Sequence, residues 1–151
     1  MTIPREDEAT EHHSLAQVSA RIPRGVICLL SALHYHVLTT NTPWQVWLAV
    51  DRPTRAPRAL PALRVVRFSG ASMNSEIETR IIENVPVRIY RVAKTVADCF
   101  KYRNKVGVDV AIEALRNAWG QKRCSMDALW QAAAICRVST VMRPYLEMVA
   151  L

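Results

Sequence analysis

The stretch VAKTVADCFKYRNKVGVDVAIEAL, residues Val92–Leu115, reads as two amphipathic helices around a basic hinge. Apolar residues fall at Val92, Val96, Cys99 and Phe100, then at Val108, Ala111, Ile112, Leu115 and Trp119. That is the spacing of helices with one buried face. On this reading the exposed positions carry Lys94, Asp98, Lys101, Arg103 and Lys105. The expectation is a packed scaffold that presents a positive surface, hence a binding protein.

Downstream, the helical pattern continues to the end of the chain. Ser125 is placed to cap a helix bearing Leu129, Trp130, Ala133 and Cys136, and Ser139 to cap a last one bearing Met142, Tyr145 and Leu146. Upstream, Glu78–Ile82 and Val85–Tyr90 flank the polar pair Glu83-Asn84 and form a plausible hairpin, with Pro86 near the start of its second strand. Leu63–Phe68 and Trp44–Val50 read as further strands, rich in branched and aromatic residues. Trp44 and Trp47, three apart in the second of these, fall on opposite faces, and core or rim packing is the expectation for both over exposure of one. Between these strands, Pro53, Pro57 and Pro61 alternate with Arg52, Arg55 and Arg58, which predicts an exposed basic loop. At the N-terminal end, Ser14 and Gln17 match a capping box that opens a helix ended by Pro23, and VICLLSALHYHVL reads as a second, nearly all-apolar helix. The fold class is therefore α+β: two N-terminal helices, a small mostly antiparallel sheet of about four strands, then about four helices. Residues 1–13 read as a flexible acidic lead-in and 14–151 as a single domain.

Composition supports this division. Half of the 151 residues are hydrophobic and only four are glycine, which excludes a disordered or collagen-like chain. The net charge is +7, and between Arg52 and Lys105 twelve cations stand against Glu76, Glu78, Glu83 and Asp98. Such an excess favours an anionic partner, nucleic acid or an acidic protein face; a solvated basic face is the plainer alternative. The longest apolar run, Val26–Leu33, is far shorter than the roughly 20 residues of a membrane span. With no apolar leader and no CxxC pair among Cys28, Cys99, Cys124 and Cys136, the expected setting is the cytoplasm, with reduced thiols and no membrane partner.

A search for chemistry leaves the chain without an expected catalytic, metal or cofactor site. His34 and His36 are two apart on a helix and point to different faces, so they cannot share a metal. His36 suits a helix-end role, bonding an unpaired carbonyl. Cys28 and Ser31 lie near His34 without a nucleophile elbow, and the isolated glycines exclude a phosphate-cradling loop. The acids near the hairpin lack the lysine partner of a magnesium nuclease. What remains is a partner surface: Arg52, Arg55, Arg58, Arg91, Lys94, Lys101, Arg103 and Lys105. Lys101 and Arg103 also have a structural explanation, because cations suit a helix C-terminus.

The runs PRGVICLLSAL (Pro23–Leu33), HVLTT (His36–Thr40), VWLAVDR (Val46–Arg52), VPVRIYRVAKTVADCFKYRNKVG (Val85–Gly107) and VMRPYLE (Val141–Glu147) resemble the AbiEi-type antitoxins of type IV toxin–antitoxin systems. The resemblance covers about residues 12–150, and Val92–Gly107 is its most specific block. It implies the antitoxin domain that follows an N-terminal winged helix-turn-helix, with only Met1–His13 standing where that winged helix would be. Where the family often has glycine after the histidine, this chain has Val37, which suits a continued helix. The implied function is non-catalytic antagonism of a cognate nucleotidyltransferase-like toxin in phage defence, with or without a stable complex. The alternative is an auxiliary nucleic-acid module of a transcriptional regulator, its cations on phosphates, although DNA reading by the winged helix is not implied for this segment.

Overall fold

The structure is a computed structural model that describes residues 12–53, 55 and 62–151. The expected flexible lead-in falls almost wholly outside these residues, as does Arg58. The elements run α1 (His13–Arg21), β1 (Val26–Ile27), α2 (Leu29–Tyr35), β2 (Val46–Asp51), β3 (Leu63–Phe68), α3 (Gly70–Asn74), β4 (Ile77–Ile82) and β5 (Val85–Tyr90). Then follow α4 (Val92–Lys101), α5 (Arg103–Val106), α6 (Val108–Gly120), α7 (Met126–Ile135) and α8 (Ser139–Val149).

The α+β class holds, but among the described residues the sheet has five strands in the order β3-β2-β1-β5-β4 and is mixed. β1 pairs antiparallel with β2 and parallel with β5, β2 pairs parallel with β3, and only β4–β5 is a hairpin. The added strand, β1, lies in the run expected to be one long helix. Val26 and Ile27 sit at the sheet centre with no exposed surface, and the chain stays extended through Cys28 before α2 begins. Gly25 permits this, because a Cβ there would come within 2.6 Å of the Leu48 side chain.

Both faces of the sheet are covered. Leu15 and Val18 of α1, with Ile22 just after it, pack against Leu48, Val87 and Ile89 on one face. On the other face Trp47, Ala49, Phe68 and Tyr90 meet α4 and the helices around it. The continuous apolar run of β2 follows directly from this double burial.

The hairpin forms as the polar pair predicts, with Glu83 and Asn84 both at positive φ (51° and 64°). Ser125 caps α7 by accepting from the Ala128 amide at 3.0 Å. Two other expected caps do not form. α1 starts at His13 with Ser14 already inside it, and Ser139 is the first residue of α8 after an N-cap at Val138.

Val37 does not continue a helix. It adopts φ 59° just past α2, where the Leu38 amide donates to Leu33 O at 2.9 Å and the Val37 amide to His34 O at 3.1 Å. This is a Schellman end, in which glycine is the favoured residue. A branched residue is held there because the corner is tied on three sides. Arg123 Nη1 donates to His36 O (2.7 Å), Asn117 Nδ2 to Leu38 O (2.9 Å), and His36 Nε2 to Tyr90 O (2.8 Å). His36 is thus a helix-end histidine, as expected, but the carbonyl it bonds belongs to β5. Burial lowers its pKa below the ordinary histidine value, while the Tyr90 carbonyl and Glu78 oppose that shift.

Candidate partner-binding surface

At one end of α4 the helix stops against the sheet. Tyr102 stacks on Phe68, the last residue of β3, with centroids 5.4 Å apart and planes 14° from parallel. The Arg52 amide donates to Phe68 O at 3.0 Å, and Arg67 Nη1 to Arg52 O at 3.1 Å, which pins the departing end of β2 beside that stack. Lys101 and Lys105 bring their ammonium groups to 5.9 and 5.8 Å from the Tyr102 ring centre. Both lysines are exposed, as are Arg52 and Arg55. Burial raises the Tyr102 hydroxyl pKa; the Asp98 charge adds to the shift and the Arg52 charge opposes it.

The fold therefore gathers Arg52, Lys101 and Lys105, drawn from segments far apart in sequence, around one half-buried tyrosine. These exposed charges are all of one sign, which suits an anionic partner. Arg103 is spent locally: its Nη1 donates to Phe100 O at 2.9 Å and closes the end of α4, the helix-end role foreseen for it. Arg91 is exposed but precedes the first residue of α4, about 15 Å away along the helix.

Lys94 overturns its expected place. It has no exposed surface, and neither has Asp98. Lys94 Nζ donates to both carboxylate oxygens of Asp98, at 2.9 and 2.7 Å, and lies 3.9 Å from the Tyr90 ring centre and 4.9 Å from that of Phe68. Cys136 Sγ donates to Asp98 Oδ1 at 3.2 Å. Residues 94–100 are all buried because α4 runs through the centre of the helical layer, between the sheet and α6, α7 and α8. A helix enclosed on every side leaves no solvated stripe, so its two charges satisfy each other. Burial raises the Asp98 pKa, and the Lys94 ammonium pulls it back. Lys94 is removed from the partner surface.

Trp44, expected in the core or at its rim, is 79% exposed, whereas Trp47 is buried with Arg64 4.4 Å above its ring. Trp44 borders a cleft of about 320 Å³ shared with Gln17, Ser31 and Gln45. Among the described residues no three His, Cys, Asp or Glu side chains gather as metal ligands do. The thiols of Cys28, Cys99 and Cys136 are buried and their pKa values pushed up, chiefly by burial, which makes them poor nucleophiles.

No protein-family model matches the chain, and no curated protein matches its sequence. Fold and surface together define an α+β domain with a mixed five-stranded sheet and a basic, aromatic-centred patch at one end of its central helix.

Proposed function

We propose that this chain is a non-catalytic antitoxin domain of the AbiEi type, which antagonises a nucleotidyltransferase-like toxin through its basic patch. The observation that carries the reading is the placing of Lys101 and Lys105 beside the Tyr102 ring, with the Arg52 backbone tied to Phe68, the residue that stacks on it. Their charges come from two segments that resemble the family, VWLAVDR and VPVRIYRVAKTVADCFKYRNKVG. Within the second segment, the buried part of α4 supplies the scaffold, and Lys101 at its end and Lys105 in α5 supply the cations. A patch of one sign guides encounter with an acidic surface and rejects basic ones, so its main effect falls on association rate and specificity. The cytoplasm is the setting this function requires.

Co-expression with the toxin encoded beside this chain tests the proposal. Growth should recover when the parent chain is present. Absence of rescue at good expression would remove the antitoxin reading. Binding to random duplex DNA that weakens steeply with salt would instead favour phosphate contacts by a nucleic-acid module.

A further inference from the structure

The outer edge of the sheet carries its own register code. β4 is a terminal strand, and on its far side no strand among the described residues pairs with it. Opposite residues in the hairpin include Ile77 with Tyr90, Glu78 with Ile89 and Thr79 with Arg88. The Arg91 amide donates to Glu76 O at 2.9 Å, which makes Glu76–Arg91 a hydrogen-bonded pair. Antiparallel ladders alternate, so Glu78, Arg80 and Ile82 turn their backbone groups toward β5, while Ile77, Thr79 and Ile81 turn theirs outward. The edge is also sticky at the side-chain level: Ile81 is 67% exposed.

A second copy of the same strand meets this edge in one favourable register. With a two-fold axis through Thr79, the outward groups of Ile77, Thr79 and Ile81 pair with those of Ile81, Thr79 and Ile77 in the other copy, making about six backbone hydrogen bonds. Glu78 then stands opposite the other copy's Arg80, and Arg80 opposite its Glu78, in the closer, non-hydrogen-bonded pairs. Ile81 is covered by Ile77. An axis through Arg80 opposes two arginines. One through Glu78 opposes two carboxylates and carries Ile81 past the start of the strand. Odd shifts match outward groups with inward ones and forfeit the ladder. Charges on an edge strand usually discourage pairing. Here Glu78 and Arg80, already 3.2 Å apart within one strand, reject foreign strands yet complement themselves under two-fold symmetry.

We infer that β4 is a homodimerisation edge, joining two copies antiparallel about Thr79 into one continuous ten-stranded sheet. The surface is independent of the basic patch, and its test does not involve the toxin. Sedimentation of the full chain over a range of concentrations should give a reversible monomer–dimer equilibrium. Glu78→Arg alone opposes arginine to arginine, and Arg80→Glu alone opposes carboxylate to carboxylate. Each should weaken the dimer by about tenfold or more. Mixing the two variants should restore it, because one chain then offers only cations at these two positions and the other only carboxylates. Thr79→Pro removes an amide that the hairpin ladder does not use, so it should keep the fold by circular dichroism and abolish the dimer. If Glu78→Arg proves unfolded beside His36, Thr79→Pro decides alone. A wild-type chain that stays monomeric, a dimer indifferent to Thr79→Pro, or folded charge variants that fail to recover on mixing would overturn the assignment.

Discussion

The buried centre of α4 and its C-terminal end both carry lysine and use it in opposite ways. Lys94 and Asp98 lie in its buried centre, where each is the other's charged partner. Lys101, with Lys105 one turn later, stands in solvent, the two ammonium groups 5.9 and 5.8 Å from the centre of the Tyr102 ring. The comparison teaches that a charge's role in this domain is set by its position along the helix, not around it. The centre of α4 is enclosed on all sides, and its C-terminal end emerges at the rim of the sheet.

That contrast has a measurable scale. Replacing Lys94 by Ala strands a carboxylate in the core, and replacing Asp98 by Ala strands an ammonium. Each should lower unfolding free energy by about 3–5 kcal/mol in urea denaturation. Lys94→Met combined with Asp98→Leu should recover most of that loss, since the desolvated charges disappear together. A small loss in either single variant would mean that water reaches the pair and that α4 is not enclosed.

The corner that ties α2 to Tyr90, immediately before α4, gives an intermediate effect of opposite sign. Val37 is 71% exposed and held at φ 59°, so it has little burial to lose and strain to relieve. A left-handed branched residue costs about 1–2 kcal/mol, and the extra chain entropy of glycine about 0.5–1 kcal/mol. Val37→Gly should therefore stabilise the domain by about 0.5–1 kcal/mol, read as a rise in the denaturation midpoint. Smallest of all, Arg52→Ala, Lys101→Ala and Lys105→Ala should each change stability by no more than about 0.5 kcal/mol.

Much of the fold was legible from local chemistry. Leu63–Phe68 and Val85–Tyr90 match their expected strands: turn residues bound the first on both sides and precede the second. The polar pair Glu83-Asn84 announced the hairpin, Asn84 through its tolerance of positive φ, whereas the positive φ of Glu83 had no sequence signal. β1 was hidden because Val26 and Ile27 sit in an unbroken apolar run, where periodicity cannot separate a two-residue strand from the start of a helix. Its parallel pairing with β5, across a long stretch of chain, is decided by packing alone. Lys94 and Asp98 were misread for a related reason. The i, i+4 spacing of an exposed helix pair is identical to that of a buried one. At the patch, each cation was visible in the sequence, but the meeting of Arg52 with Lys101 and Lys105 depends on Phe68 stacking with Tyr102, a contact with no local signature.

The most direct test of the proposal that the solvated end of α4 is the working surface is growth rescue by an Arg52→Glu, Lys101→Glu, Lys105→Glu triple variant, expressed at the parent's level beside the toxin. Loss of rescue with an unchanged denaturation midpoint is the predicted result. Full rescue by this folded, charge-reversed chain would contradict the account and place the partner surface elsewhere.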